Sequence, residues 1–302
     1  MRLVLLFLFA FLIACSIKAV DYNMFNHIGA SAHSIGLAGI PGFEKNAHAI
    51  FDNPASIDFE NLSFSSFFSS VVDNENKLFA GSVGIATGDT RWVAGYMLSA
   101  IDGIFNTKRD TNNIIVETDS FNYTNELFHA GFQHSLGENF SLGFTANYYS
   151  LQMGALSGSG VNANTGFNFR PVSSLNLSVF AKNIFVFSDM DYSNGTSEKL
   201  PLELFFSFQN KMPWNTELYG QISSLGGPPR ETLKSVAVKY TPDIGQKLFF
   251  VSVGYQEFIP LDTVRSKMTI GLGIEMGLNV YFAYHHTDYQ KENYFTSITL
   301  NL

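Results

Sequence analysis

Charge is scarce in this chain. Asp, Glu, Lys and Arg together make up 15% of the 302 residues, and the balance of 18 basic against 26 acidic side chains gives a net charge of −8. So little charge is poor cover for a water-facing surface, and an acidic balance excludes the basic face that nucleic-acid binding needs. Cysteine is nearly absent: the one thiol, Cys15, sits in the N-terminal apolar run. If that run is cleaved, the chain has no disulfide, no thiolate nucleophile and no thiolate metal site. Long apolar runs are missing too. Outside the first residues no stretch of 18 apolar residues occurs, which excludes a helical membrane span. There is no Gly-x-Ser-x-Gly elbow, no Gly-x-Gly-x-x-Gly, no phosphate-binding loop and no His-Glu-x-x-His. Gly271-Leu272-Gly273 falls inside a strand-like run, where it reads as packing. The chain reads as a non-enzyme without a cofactor.

Two apparent metal motifs dissolve on inspection. His285 and His286 are adjacent on a strand, so they point to opposite faces. His286 and Asp288 share a face near a strand end but lack the rest of a ligand set. Asp189–Gly195 echoes a calcium loop, yet its glycine is at position 7 and position 12 is Leu200, so it reads as an acidic hairpin tip.

What the chain does have is aromatic residues: 30 Phe and 13 Tyr. Aromatic excess, low charge and no apolar runs together point to a transmembrane β-barrel, in which only every second residue meets lipid. Residues 1–19 read as a signal peptide. Arg2 supplies the basic start and Leu3 to Ala14 the apolar stretch, with cleavage expected after Ala19. Leu12-Ile13-Ala14-Cys15 also resembles a lipoprotein box, so two readings of Cys15 stand: a lipidated first residue, or a small apolar residue lost on cleavage. Removing residues 1–19 deletes Arg2 and Lys18 and no acid, which leaves a net charge of −10.

Residues 20–61 do not alternate. They are rich in Gly, Ala, Ser, Asn and His, and their irregular backbone could not lie against lipid. They are expected to form a plug, or hatch, inside the barrel. Within it lie Gly36-Leu37-Ala38-Gly39 and Asn53-Pro54-Ala55. Pro54 fixes φ and lacks an N–H, Asn53 can bond local backbone, and Ala55 permits close approach.

Residues 62–302 read as about fourteen antiparallel strands. The runs are Leu62–Val72, Lys77–Thr87, Thr90–Ile101, Asn125–Leu136, Asn139–Gln152, Gly158–Arg170 and Leu175–Ser188, then Leu200–Lys211, Trp214–Ser224, Thr232–Tyr240, Lys247–Gln256, Val264–Met276, Leu278–Thr287 and Asn293–Leu302. Residues 102–124 are expected to be an extracellular loop. The period of two puts Phe140, Leu142, Phe144, Ala146 and Tyr148 toward lipid and Ser141, Gly143, Thr145, Asn147 and Tyr149 toward the lumen. It treats Val161, Ala163, Phe167 and Phe169 against Asn162, Asn164, Gly166 and Asn168 in the same way. The lumen set is mostly uncharged, without opposed rows of Arg and acids. That favours a plugged or lined lumen over an open ion pore. In the last run Tyr294, Thr296, Ile298, Leu300 and Leu302 share a face. Such an ending resembles the signal read by the bacterial barrel-assembly machinery, with Leu302 in place of the usual aromatic.

Several of these segments carry a family likeness. Ser31–Gly39 followed by Asn53-Pro54-Ala55 resembles the N-terminal block of FadL-like (long-chain fatty acid transporter) barrels, in particular the PorV/PorQ branch of type IX secretion. Val179-Phe180-Ala181-Lys182-Asn183-Ile184, Leu200-Pro201-Leu202-Glu203 and Tyr294–Leu302 resemble later segments of that branch. His33 departs from it, standing where Arg is common, and the loops are short. The resemblance implies a fourteen-stranded barrel with an N-terminal hatch in the outer membrane. It also implies an accessory role in type IX secretion or surface attachment, with exported polypeptides or secretion components as partners. Two other readings stand beside it: a FadL-like transporter of hydrophobic small molecules, and a structural barrel in outer-membrane lipid with no traffic of its own.

Overall fold

The computed structural model of the chain describes residues 29–71, 76–109, 115–225, 231–243, 249–258, 265–287 and 293–302. The expected signal peptide, Cys15, the first residues of the expected hatch and Asp288 lie outside them. The chain from residue 62 onward forms β1 (Leu62–Val71), β2 (Asn76–Thr87), β3 (Thr90–Arg109), β4 (Ile115–Ser135), β5 (Phe140–Met153), β6 (Leu156–Val172), β7 (Leu175–Tyr192), β8 (Ser197–Glu198), β9 (Glu203–Met212), β10 (Thr216–Leu225), β11 (Glu231–Tyr240), β12 (Phe249–Phe258), β13 (Arg265–Met276), β14 (Leu278–Thr287) and β15 (Asn293–Asn301). Every pairing is antiparallel, and apart from the β1–β15 pair each joins neighbours in sequence, save that β7 pairs with β9 and the two-residue β8 hangs on the end of β7. β1 pairs with β15 and β6 with β7, so fourteen strands close into a ring. The fold is all-β, as expected, and the protein is an outer-membrane, multi-pass β-barrel. Closure leaves no edge strand in the wall, the condition for putting a sheet in lipid.

Side-chain alternation sets the two faces. On β14, Tyr281, Ala283 and His285 are buried while Phe282 and His286 are exposed, so the adjacent histidines do point apart. Exposed Phe64, Phe68, Phe128, Ile270, Phe282 and Ile298 belong to the apolar outer face. Five of the six connections at the end bearing Leu62 and Leu302 are short, residues 88–89, 136–139, 173–174, 213–215 and 277, and the sixth, between β11 and β12, spans 241–248. Short turns mark the periplasmic end of such barrels.

At the opposite end the expected loop at 102–124 is mostly strand. β3 and β4 run 20 and 21 residues, twice what a crossing requires. They continue as a two-stranded ribbon, from Ile104 opposite Phe121 to Arg109 opposite Ile115. A bulge at Asp102-Gly103 starts it, with Gly103 at φ 69° and its N–H donated to Asn122 Oδ1 at 3.1 Å. Outside the bilayer neither face needs to be apolar, so the ribbon lacks the alternation by which strands are read.

Residues 29–61 occupy the lumen. They hold one short helix, α1 (Ala32–Gly36), and two 3-10 turns, Ala47–Ile50 and Pro54–Ser56. Between Ala30 and Ile57 only Lys45 is exposed. Ile35, Ile50, Phe51, Ile57 and Phe59 pack with inward Phe67, Leu78, Val93, Leu127 and Phe295, and Leu37, Ile40 and Phe43 pack with Tyr219 and Ala237. The apolar core of the protein is thus inside the barrel, between plug and wall.

Candidate functional site

The plug exposes backbone polar groups that neighbouring strands cannot satisfy, and buried groups of that kind need partners. The lumen face supplies them from small polar side chains. Ala32 N–H donates to Ser297 Oγ (2.7 Å) and Ala47 N–H to Ser63 Oγ (3.0 Å), while Ser252 Oγ–H and Gln256 Nε2 donate to the carbonyls of Gly36 (2.9 Å) and Ala38 (2.8 Å). This explains a lumen rich in Ser, Asn and Gln.

Asn53-Pro54-Ala55 sits where plug meets β5, β6 and β7. Asn53 Oδ1 accepts from Ala55 N–H at 2.9 Å, capping the second 3-10 turn, which opens with Pro54. Its Nδ2 donates to Ser178 Oγ on β7 at 2.7 Å. Ser141 Oγ–H on β5 reaches Ala55 O at 2.7 Å, and Asn168 Nδ2 on β6 reaches Gly42 O at 3.2 Å. The wall makes room with glycines. A Cβ on Gly166 would overlap Asn53, and one on Gly143 would overlap the backbone of Pro54 and Ala55. Gly36 meets β13 in the same way: a Cβ on it would lie 2.8 Å from the Cα of Gly271. Gly39 closes α1 with φ 70°, a conformation that suits glycine. Of the last-strand residues, Tyr294, Ile298 and Leu302 are exposed on the outer face and Leu300 is half-buried, while Leu302 exchanges backbone hydrogen bonds with Leu62 at 2.8 and 3.1 Å.

Sequence reading missed the buried charge. Glu44 is 4% exposed and ties together the caps of two plug elements. Ser31 caps α1 and lies 2.6 Å from Glu44 Oε2; Asn46 caps the first 3-10 turn and donates to Oε1 at 3.1 Å. Burial pushes the Glu44 carboxyl up to about 7, helped by nearby Asp52. Asp52 is pushed up to about 6 by burial, against the pull of Lys182 and the Ser34 hydroxyl. Burial and Lys239 hold His33 down to about 3, and burial holds His48 at about 4 despite its contact with Ala30 O. The wall adds buried Glu203, Lys267, His129 and His285 to a lumen that reads as nearly uncharged. No local pattern marks it: Glu44 stands between Phe43 and exposed Lys45 in sequence. No cluster of metal-ligating side chains occurs among the described residues.

Among the described residues the β6–β7 ladder is irregular, with register shifts between Ser159 and Val161, Val161 and Asn162, Ala163 and Thr165, and Phe169 and Val172. Along β6–β7 the pairing passes from Ala163 opposite Phe185 to Thr165 opposite Ala181, so Lys182-Asn183-Ile184 bulge against Asn164. Asn183 sits at φ 55°. Its N–H donates to Asn164 Oδ1 (2.9 Å), its Nδ2 to Pro201 O (2.6 Å), and its Oδ1 accepts from Asn162, which in turn accepts from Asn147 (2.6 Å). Past the bulge, alternation fails and Phe185, Val186 and Phe187 are all exposed. β9 also stops here, with Glu203 opposite Lys182. Val179–Ile184 and Leu200–Glu203 therefore meet at this seam. The bulge also accounts for Ala163, expected to face lipid but fully buried.

No protein-family model matches the chain, and no curated protein matches it in sequence. Solved structures do match. The TodX deltaS2S3 mutant monoaromatic hydrocarbon channel aligns with a TM-score of 0.68 at 12% identity, over 92% of this chain and 100% of that one. The CymD monoaromatic hydrocarbon channel gives 0.69 at 10% identity, over 92% and 99%. A Pseudomonas aeruginosa FadL homologue gives 0.61 at 10% identity, over 90% and 98%. The fold is that of the FadL-like barrels. At such identities it is the fold alone that is shared.

Proposed function

We propose that this FadL-like barrel passes small hydrophobic molecules across the outer membrane and is not an enzyme. The observation that carries this reading is the broken β6–β7 ladder beside a plugged lumen. Packing of residues 30–57 leaves little room along the axis, and the wall gives up regular hydrogen bonding at Lys182-Asn183-Ile184, beneath exposed Phe185–Phe187. A solute that dissolves in lipid can use such a seam; a hydrated ion cannot. The hydrocarbon-channel function of TodX and CymD supports the same class of solute. The test is uptake of radiolabelled toluene by cells with and without the protein. Faster uptake with the protein is expected, and equal rates would overturn the reading.

A second reading keeps the PorV/PorQ resemblance, in which the barrel serves type IX secretion or surface attachment. It draws on the meeting of the two family-like segments, where Asn183 bonds Pro201 O and Lys182 stands opposite Glu203. Loss of surface display of exported proteins on deletion would support it, and normal display of all of them would reject it. Normal display together with unchanged uptake would leave a structural barrel. Under each reading we infer that residues 1–19 are removed on export, with Cys15 lipidated or lost. We also infer that residues 20–61 act as the hatch of the barrel at 62–302, that Gly36, Gly39 and Asn53-Pro54-Ala55 anchor it, and that the Tyr294–Leu302 strand is read during assembly.

A further inference from the structure

Among the described residues the plug carries a carboxyl group with no cation to match it. Glu44 accepts from Asn46 and shares a hydrogen bond with Ser31, the cap residues of the plug's first two elements. Among the described residues, the plug's ion pairs Lys45–Asp58 and Arg91–Asp58 lie at its exposed periplasmic edge and do not include it. The nearby acid, Asp52, has a buried Oδ2 without a hydrogen-bond partner. A lone buried charge is costly, and two like charges more so.

We propose that Glu44 is a proton latch of the plug: protonated, it lets both capped elements close on it and seat against the wall, and ionised, it places an unmatched charge beside Asp52 and loosens the plug. Both states fit the hydrogen-bond geometry. In the neutral form Oε2–H donates to the Ser31 hydroxyl oxygen; in the ionised form the Ser31 hydroxyl donates to Oε2. Asn46 donates to Oε1 in either case. On ionisation the proton leaves to water.

The surrounding groups do not cancel the effect. His33 and His48 on the plug stay neutral well below the range in question. Lys239 on β11 is paired with Glu275 on β13 at 3.7 Å. Lys182 on β7 acts on Asp52, and from β14 the Tyr281 ring packs on His33. The sign follows from linkage. The Glu44 carboxyl titrates near 4.5 when free and near 7 in the plug. The seated plug therefore holds the extra proton between those values, and its seating weakens as pH rises through that window and stays weakened above it.

The latch rests on plug packing alone, so a failed uptake assay leaves it standing. The test is amide hydrogen exchange on the full chain in lipid nanodiscs, at about pH 5 and about pH 8, with labelling times corrected for intrinsic exchange. Protection over residues 32–57 is expected to fall by about tenfold at the higher pH, while amides of β13 stay unchanged. Glu44→Gln keeps both hydrogen bonds without a charge and is expected to remove most of the loss, what remains coming from Asp52, which burial also raises into this pH range. Asp52→Asn is expected to shrink the loss and lower its midpoint. A wild-type plug with flat protection, or a Glu44→Gln variant with the wild-type loss, overturns the proposal. Should Glu44→Gln fail to assemble, an undiminished loss in Asp52→Asn overturns it instead.

Discussion

Two parts of the wall enclose one plug by different means. From β9 through β15 and on through β1 to β3, ladders run in unbroken register, residue against residue. There the plug is held by side chains that reach in, such as Ser252, Gln256 and Ser297. The β5–β6–β7 part also reaches in, through Ser141, Asn168 and Ser178, and meets the plug with bare glycines at Gly143 and Gly166 as β13 does at Gly271, but it gives up its own register at Asn183. Backbone bonds lost in the bulge are replaced by a chain of asparagine amides. A regular ladder is stiff because every residue shares the load. A ladder held by a few side chains can be opened by removing one. The difference locates both the tightest seat of the plug and the weakest line of the wall within the same three strands.

The largest effect is expected where a wall glycine meets plug backbone. Gly143→Val places methyl groups on Pro54 and Ala55, which have no rotamer by which to yield. Overpacking of this kind costs about 3 kcal/mol. Gly81→Val, on the outer face of β2 in the regular wall, has only the Phe79 ring nearby and is expected to stay within about 0.5 kcal/mol. The urea midpoint of heat-modifiable gel migration measures both. Equal midpoints would mean that the plug is not seated as described and would break the comparison.

Next in size is the seam itself. Asn183→Ala removes two side-chain hydrogen bonds and leaves a non-glycine residue at φ 55°. A loss of about 2–3 kcal/mol follows from stranding buried partners. Asn183→Gly frees the backbone yet strands the same partners, so it should recover only part of the loss. Full recovery would mean that the bulge depends on backbone conformation and not on the amide chain.

Much of this architecture was legible beforehand, for a physical reason. Lipid on one side and a polar plug on the other force a period of two, so all fourteen crossing strands could be read, β14 to the residue. Reading failed where that constraint lapses. Above the membrane the β3–β4 ribbon has water on both faces, so Asp102–Arg109 looked like loop. At Asn183 a bulge breaks the alternation, and no local residue pattern announces which strand will carry one. Glu44 stands beside exposed Lys45 and reads as surface; only its place between two caps, set by the folded plug, reveals a buried hub. Gly143 and Gly166 were legible as lumen residues, but not as sockets for Asn53-Pro54-Ala55, because that match is made across more than 85 residues of sequence.

A smaller change tests the plug side of the same junction. Asn53→Ala loses the cap on the second 3-10 turn and the bond to Ser178, an expected cost of about 1–2 kcal/mol. Asn53→Asp can keep the cap but cannot donate to Ser178. A value for Asn53→Asp near wild type would assign the motif's contribution to the turn alone, and one near Asn53→Ala would assign it to docking on β7.

The smallest effect on stability is expected outside the seam, where the functional reading is most exposed. Phe187 and Phe68 are 69% and 57% exposed, one past the bulge and the other on the regular wall. Replacing either by Ser in detergent removes little packing, so the urea midpoints should move by no more than about 0.5 kcal/mol. Toluene uptake should separate them. If solute passes at the broken ladder, the ring at Phe187 lies beside its path and the ring at Phe68 does not. Phe187→Ser then slows initial uptake while Phe68→Ser leaves it unchanged. Equal slowing by both would mean that uptake tracks the general apolarity of the outer face, and the seam would lose its claim as the route.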